Sequence, residues 1–202
     1  MADPQQINKF VSALWPYAKV LEKRTGIPAE YTIAMAANET GWDLNNPVLF
    51  GIKGKGPSGK SDTFGTYEVQ GGQRQDIKDE FATYTGPKEA FAHLESEMTS
   101  DRYKDAPKND PEAFASHIAS KGWATDPEYS GKIASLARTV AGQSATMSDT
   151  GAVAQSSWAD HSDPEISDLY KKAEAFVART SPNATIPGWK YSLMYSTRRG
   201  GS

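Results

Sequence analysis

The chain has no cysteine among its 202 residues, so neither a disulfide nor a thiolate metal site can be built. Histidine is scarce as well. His93, His117 and His161 are scattered and form no pair at helical spacing, so no metal motif is present. His93 and His117 lie beside the apolar stripes of expected helices and read as surface or core-edge residues. Long apolar runs are missing too: no stretch approaches the roughly 20 residues of a membrane span. The opening residues, Met1, Ala2, Asp3, Pro4, Gln5 and Gln6, lack the basic start and apolar core of a secretory signal. Net charge is only −3, with bases interspersed among acids, which argues against a chain-wide grip on nucleic acid. These absences lead to the expectation of no metal, no nucleic-acid partner and no membrane insertion.

Hydrophobic residues make up 38% of the chain, lean enough to suggest that part of it is tail or linker. Residues 8–25 carry Phe10, Leu14, Tyr17 and Leu21 at helical spacing, with Pro16 as a kink candidate and Gly26 as a stop. A second helix is predicted over 28–39, with Pro28 in its first turn, small and apolar residues at Ala34, Met35 and Ala37, and Gly41 just past its end. From 45 to 86 the helical period disappears and glycines become frequent. Short β-like pieces at 63–69 and 81–84, separated by Gly71 and Gly72, predict a small β-rich lobe. Helical patterning returns at 88–99, 111–121 and 128–140. Residues 141–163 are rich in Ser, Ala and Gly and read as a linker that also holds His161. Residues 164–202 contain one more amphipathic helix pattern and then an aromatic, basic stretch with Trp189, Tyr191, Arg198 and Arg199. The expected organisation is a domain over 1–140, a linker, and a C-terminal docking element over 164–202. The alternative for that last part is a loosely packed extension.

One motif points elsewhere. Gly54, Lys55, Gly56, Pro57, Ser58, Gly59, Lys60 and Ser61 satisfy the phosphate-loop pattern of nucleotide-binding proteins. That loop works when it follows a buried strand and opens a helix whose amides hold phosphate. Here Pro57 removes an amide and residues 61–67 read as extended, so the segment reads as a basic loop and not as a nucleotide site.

Glu39 is the residue that carries chemistry. Glycoside hydrolysis needs a carboxylic acid still protonated near neutral pH, to give a proton to the leaving oxygen. Glu39 falls in the last turn of a predicted helix, where the negative end of the macrodipole disfavours a carboxylate, and Trp42 is placed to add an apolar wall. A solvated glutamate at a helix end is the competing reading for that residue taken alone.

The surrounding motifs resemble the family 73 glycoside hydrolases, the glucosaminidase domains of bacterial autolysins, flagellar rod-cap hydrolases and phage lysins. The family's small-residue helix ending in Glu-Ser-Gly-Trp is matched by Ala36, Ala37, Asn38, Glu39, Thr40, Gly41 and Trp42. Its Asn-Leu-Phe-Gly-Ile-Lys-Gly run is matched by Val48, Leu49, Phe50, Gly51, Ile52, Lys53 and Gly54. Thr66, Tyr67 and Glu68 with Gly71 and Gly72 match its Thr-x-Glu strand, and Phe81, Ala82, Thr83 and Tyr84 its Phe-Arg-x-Tyr. Trp123, Ala124, Thr125, Asp126, Pro127, Glu128 and Tyr129 match its Tyr-Ala-Thr-Asp-Pro-x-Tyr. Two departures stand out. Ala82 replaces an arginine, and Trp123 replaces a tyrosine, leaving an N–H donor where the family has a phenol.

The resemblance implies a mainly α (α+β) lysozyme-like fold, a helical domain with a small β-rich lobe and a substrate cleft between them. It implies hydrolysis of the N-acetylglucosaminyl bond of peptidoglycan, with no cofactor. It makes Glu39 the proton donor and Glu68 the second carboxylate, on a Gly-flanked segment that closure onto substrate would carry to the site. Glu68 has the alternative of being a solvent-facing strand residue. Trp42, Phe50, Tyr84, Trp123, Asp126 and Tyr129 are the candidate substrate-binding residues, with Trp123 and Tyr129 alternatively core aromatics. A muramidase or lytic transglycosylase on the same substrate is the nearest alternative, and a non-catalytic wall-binding or virion protein the alternative of another class. The absence of a secretory signal leads to the expectation of a virion-borne enzyme acting at the host wall, docked to phage tail or other virion proteins through 164–202. The other routes are a cytoplasmic endolysin released through a holin and a bacterial hydrolase exported by a flagellar-type apparatus.

Overall fold

A computed structural model of the chain describes residues 2–70 and 73–148. Five helices and one hairpin follow in the order α1 (Pro4–Thr25), α2 (Ala29–Thr40), β1 (Ser61–Gln70), β2 (Gln73–Ala82), α3 (Pro87–Met98), α4 (Pro111–Ser120) and α5 (Tyr129–Ser148). This is the mainly helical architecture with a small β lobe that the motifs imply.

Each helix starts and stops where its sequence supplies the chemistry. Asp3 caps α1 by accepting from the Gln5 amide, and Asp110 caps α4 by accepting from the Ala113 amide. Gly26 and Gly41 end α1 and α2 in the left-handed conformation and return their N–H groups to Glu22 and Ala37. Helix α1 continues through Pro16 and buries Phe10, Leu14, Tyr17 and Leu21. Pro28 is the N-cap of α2 and stands just outside the first turn expected for it.

The core forms around α2. Tyr31 through Ala37 are buried without interruption, which only a helix enclosed on all sides can achieve. Its alanines let α1 and α5 approach closely, while α3 packs on α1 and α4 on α5. No helix among the described residues is long and apolar enough to cross a membrane.

Two sequence expectations need correction. The domain end and linker expected at 140 and 141 fall inside α5, which runs to Ser148 because nothing in residues 141–148 interrupts a helix. The short β pieces are one antiparallel hairpin, paired from Ser61↔Ala82 to Gln70↔Gln73. Its second strand extends back to Gln73, beyond the expected 81–84, because Arg74, Asp76, Lys78 and Glu80 give no apolar alternation that would mark it in the sequence. Gly71 and Gly72, His161 and the expected docking element 164–202 lie outside the described residues.

The hairpin is thin and long. Ten residues per strand at about 3.3 Å per residue span roughly 30 Å. Among the described residues it is tied at its base to the segment that follows α2, where the Gly54 amide donates to Glu80 O (2.8 Å), the Ala82 amide to Ile52 O (2.8 Å), and Lys53 pairs with Asp79 (2.8 Å).

Candidate active site

Glu39 sits where the helical body meets the segment leading to the hairpin. Past it the chain makes a sharp corner, with Gly41 at φ 61° and Trp42 at φ 68°. A left-handed tryptophan is strained, at a cost of order 1–3 kcal/mol, and persists because its surroundings fix it. Trp42 is buried, with its ring edge-on to Phe10 at 5.5 Å, and its carbonyl accepts from the Gln6 side chain (3.2 Å). The corner returns the chain across the end of α2, and Gly51 arrives directly against the Glu39 carboxyl.

That approach requires glycine twice over. Gly51 has φ 62°, and a Cβ there would lie 2.7 Å from Glu39 Oε2 and 3.0 Å from its Cδ. One face of the Glu39 side chain stays open to solvent while protein packs around the rest. Desolvation therefore raises its pKa above the usual glutamate value, and the Asn38 side chain, donating to Oε1 at 3.1 Å, opposes this. The direction is the one expected from the sequence, and burial of the carboxyl supplies it.

On the far side of Glu39 lies an aromatic cluster. Tyr129 opens α5, its amide donating to Asp126 O at 3.1 Å, and its ring is 3% exposed. Burial, and then the Glu39 charge, push its phenol well above the ordinary value. Trp123 and Tyr103 meet edge-to-face at 5.5 Å beside it. Asp126 holds the turn into α5. It accepts from the Glu128 amide (2.9 Å) and from Lys132 (2.6 Å), and these contacts keep its carboxyl below the usual value.

The sequence candidates thus separate. Glu39, Trp123, Asp126 and Tyr129 come together. Phe50 is 1% exposed and stands edge-on to Phe91 at 5.0 Å, so with Trp42 it offers no open face to a sugar and instead backs the site. Tyr84 is half-buried at the hairpin base, its hydroxyl 3.1 Å from His93 Nδ1. The backbone of Glu68 lies on β1 opposite Gln75. It stands roughly 23 Å along the strand from Ser61, at about 3.3 Å per residue.

Three residues were not singled out from sequence. Gly51 belongs to the Phe50, Gly51, Ile52 run of the family motif, where a glycine between two apolar residues signals a close backbone approach. Tyr103 lies in the irregular connection between α3 and α4 and had no signal. Glu89 accepts from the Ser58 amide (2.8 Å), the Thr85 amide (2.8 Å) and the Thr85 hydroxyl (2.7 Å). Burial alone would raise its pKa, but these hydrogen bonds bring it below the usual value.

Glu89 also bears on the loop that resembles a phosphate cradle. The amides of Gly54, Gly56, Ser58 and Gly59 all donate within the protein, to Glu80, Lys60, Glu89 and Gly56 respectively. Ser61 then opens a strand and not a helix. These four amides of the loop are engaged, and the residues that follow it form a strand where a helix would have to present the rest.

A glucosaminidase family model, described as mannosyl-glycoprotein endo-beta-N-acetylglucosaminidase, matches residues 15–142. Peptidoglycan hydrolase FlgJ of Pseudomonas aeruginosa is 33% identical over 144 residues, which are 65% of this chain and 36% of FlgJ. Exo-glucosaminidase LytG of Bacillus subtilis is 33% identical over 149 residues, 66% of this chain and 51% of LytG. The chain therefore spans no more than about half the length of these curated relatives. Among solved structures, a mutant of the peptidoglycan hydrolase from Sphingomonas sp. A1 superposes with a TM-score of 0.61 at 31% identity, over 69% of this chain and 99% of that one.

Proposed function

Because this chain belongs to the glucosaminidase family, family 73 of the glycoside hydrolases, we propose that it cleaves peptidoglycan glycan strands at the N-acetylglucosaminyl bond. The observation that carries this reading is the Glu39 carboxyl, desolvated by the approach of Gly51 yet open on one face. Such a group keeps its proton to higher pH than an ordinary glutamate and can deliver it to a glycosidic oxygen. The leaving sugar departs as an alcohol and positive charge develops on the anomeric carbon. Water adds there, and its proton is taken up as the new hemiacetal forms. Glu68, on the arm, is the second carboxylate in this proposal, acting on that water or on the developing charge. Trp123 and Tyr84 are the aromatic faces left partly open for sugar rings.

Digestion of purified peptidoglycan followed by mass analysis of the new reducing ends tests the bond. N-acetylglucosamine ends are expected. N-acetylmuramic ends would make the protein a muramidase, anhydro-muramyl ends a lytic transglycosylase, and no new ends a wall-binding protein. The setting is a separate part of the proposal: a phage particle that opens the host wall locally, docked through residues 164–202. The aromatic and basic composition of 182–202 supports it, since such residues are enriched in interface cores. Finding the protein in purified virions is the expected result, and its absence from them would remove this part alone.

A further inference from the structure

Two polar groups beside the site have complementary vacancies. The Tyr129 hydroxyl is buried and is the one fully buried side-chain polar atom without a hydrogen-bond partner among the described residues. Trp123 faces it closely enough to lower its pKa but falls outside hydrogen-bond geometry. An indole N–H is also donor only, so it could not accept the phenol's proton in any arrangement. The second vacancy is on Glu39. Asn38 serves Oε1, whereas Oε2 points to the space where a Gly51 Cβ would stand, 2.7 Å away, and receives no hydrogen bond from another described residue. Helix α5, which starts at Tyr129, packs on α2, which carries Glu39.

An unsatisfied buried hydroxyl is costly, and natural proteins keep few of them without a reason. We propose that Tyr129 is a positioning residue for Glu39: its O–H donates to the Glu39 carboxylate once that group has given up its proton, and holds the anion in place for the rest of the reaction. A turn of the Glu39 side chain, or one bridging water, joins the two groups. While Glu39 is protonated the bond is not needed, and the acid keeps its proton for the substrate. After transfer, the anion gains a charge-assisted donor in a poorly solvated place. The groups that face Tyr129 are Glu39 from α2, Tyr103 from the connection between α3 and α4, and Trp123 from the segment after α4. Asn38 is the other polar neighbour of Glu39. Of these, Glu39 alone becomes a charged acceptor at ordinary pH, since burial raises the Tyr103 phenol above its usual value and keeps it protonated.

The inference rests on Glu39 being the general acid, so its test includes a readout that needs no turnover. The 13C signal of the Glu39 side-chain carboxyl is followed through a pH titration in wild type and in Tyr129→Phe. The expected result is a Glu39 pKa that rises in Tyr129→Phe, because a stabiliser of the anion has been removed. On peptidoglycan, kcat is expected to fall about tenfold with KM held, and the alkaline limb of the rate profile to move to higher pH. The melting temperature is not expected to fall, since the same ring fills the core without the unpaired hydroxyl. If Tyr129→Phe does not fold, 3-fluorotyrosine placed at position 129, a stronger donor, is expected to lower the Glu39 pKa. A Glu39 titration that does not move in these directions overturns the inference, whatever happens to activity. A wild type that cleaves no glycan overturns the proposed function and leaves the titration to decide the Tyr129 contact.

Discussion

The helical body and the hairpin arm are built on opposite principles. In the body, α2 is enclosed by its neighbours and its buried run from Tyr31 to Ala37 fixes the end of the helix from which Glu39 projects. In the arm, two strands pair with each other and with little else, and both faces carry polar and charged residues. A lone two-stranded ribbon is marginal in water, so the arm depends on its base, where Lys53, Gly54, Ile52 and Glu89 hold it. The difference assigns the two carboxylates different physics. Glu39 owes its altered proton affinity to packing and is in place before substrate arrives. Glu68 is borne on a strand that pairs with its neighbour and little else, so under the proposed function its position would be set by how the arm meets the glycan.

The largest expected effect comes from cutting the regions apart. Replacing residues 63–80 by a short glycine turn is expected to lower turnover by about 10³-fold, roughly 4 kcal/mol, while the melting temperature of the body stays within a few degrees. A body that unfolds would show that the arm is part of the core. Phe50→Ala is the converse, since Phe50 is packed against Phe91. It is expected to cost about 3–5 kcal/mol in chemical denaturation, with a KM close to wild type for whatever protein remains folded. A raised KM at full stability would return Phe50 to the substrate surface. Gly51→Ala acts at the junction and is expected to reduce kcat by about 10²-fold, roughly 2.7 kcal/mol, because the added Cβ collides with the carboxyl.

Glu89→Ala sharpens the comparison at its smallest scale. Loss of the three hydrogen bonds is expected to cost about 2 kcal/mol and to speed amide exchange at Ser58 and Thr85 before the helices respond. The sign with pH follows from the lowered pKa of Glu89. Its contribution is full above the unfolded glutamate value and is lost as pH falls through the lower folded value. Acid below the ordinary glutamate range should therefore loosen the arm's base in wild type and make less difference to Glu89→Ala.

The same contrast governs what could be read from the sequence. The helices were legible because Phe10, Leu14, Tyr17 and Leu21, or Phe91, Leu94 and Met98, repeat at the period of a helix with one buried face. The hairpin was only partly legible because Lys78, Asp79 and Glu80 stand on a ribbon with no face to bury. Of the site, Glu39 and its corner were visible as a motif, since Gly41 and Gly51 mark backbone that only glycine adopts cheaply. The burial of Trp42 and Phe50 was not visible. A motif records which residues occur together, and an aromatic ring behind a site is written in the same letters as one that faces the substrate. The vacancy on Tyr129 was hidden for a similar reason, since it depends on which neighbours three separate segments bring to one hydroxyl.

The central claim is that Glu39 supplies the proton. It is tested most directly by Glu39→Gln in a side-by-side digestion of purified peptidoglycan with wild type. The raised pKa means that the ionised carboxyl weakens the fold once pH rises through its folded value, whereas below the unfolded value it carries no such cost. The account therefore expects Glu39→Gln to be folded, to melt no lower than wild type at neutral pH, and to release glycan at least about 10³-fold more slowly. A folded Glu39→Gln that digests the wall at the wild-type rate would contradict it.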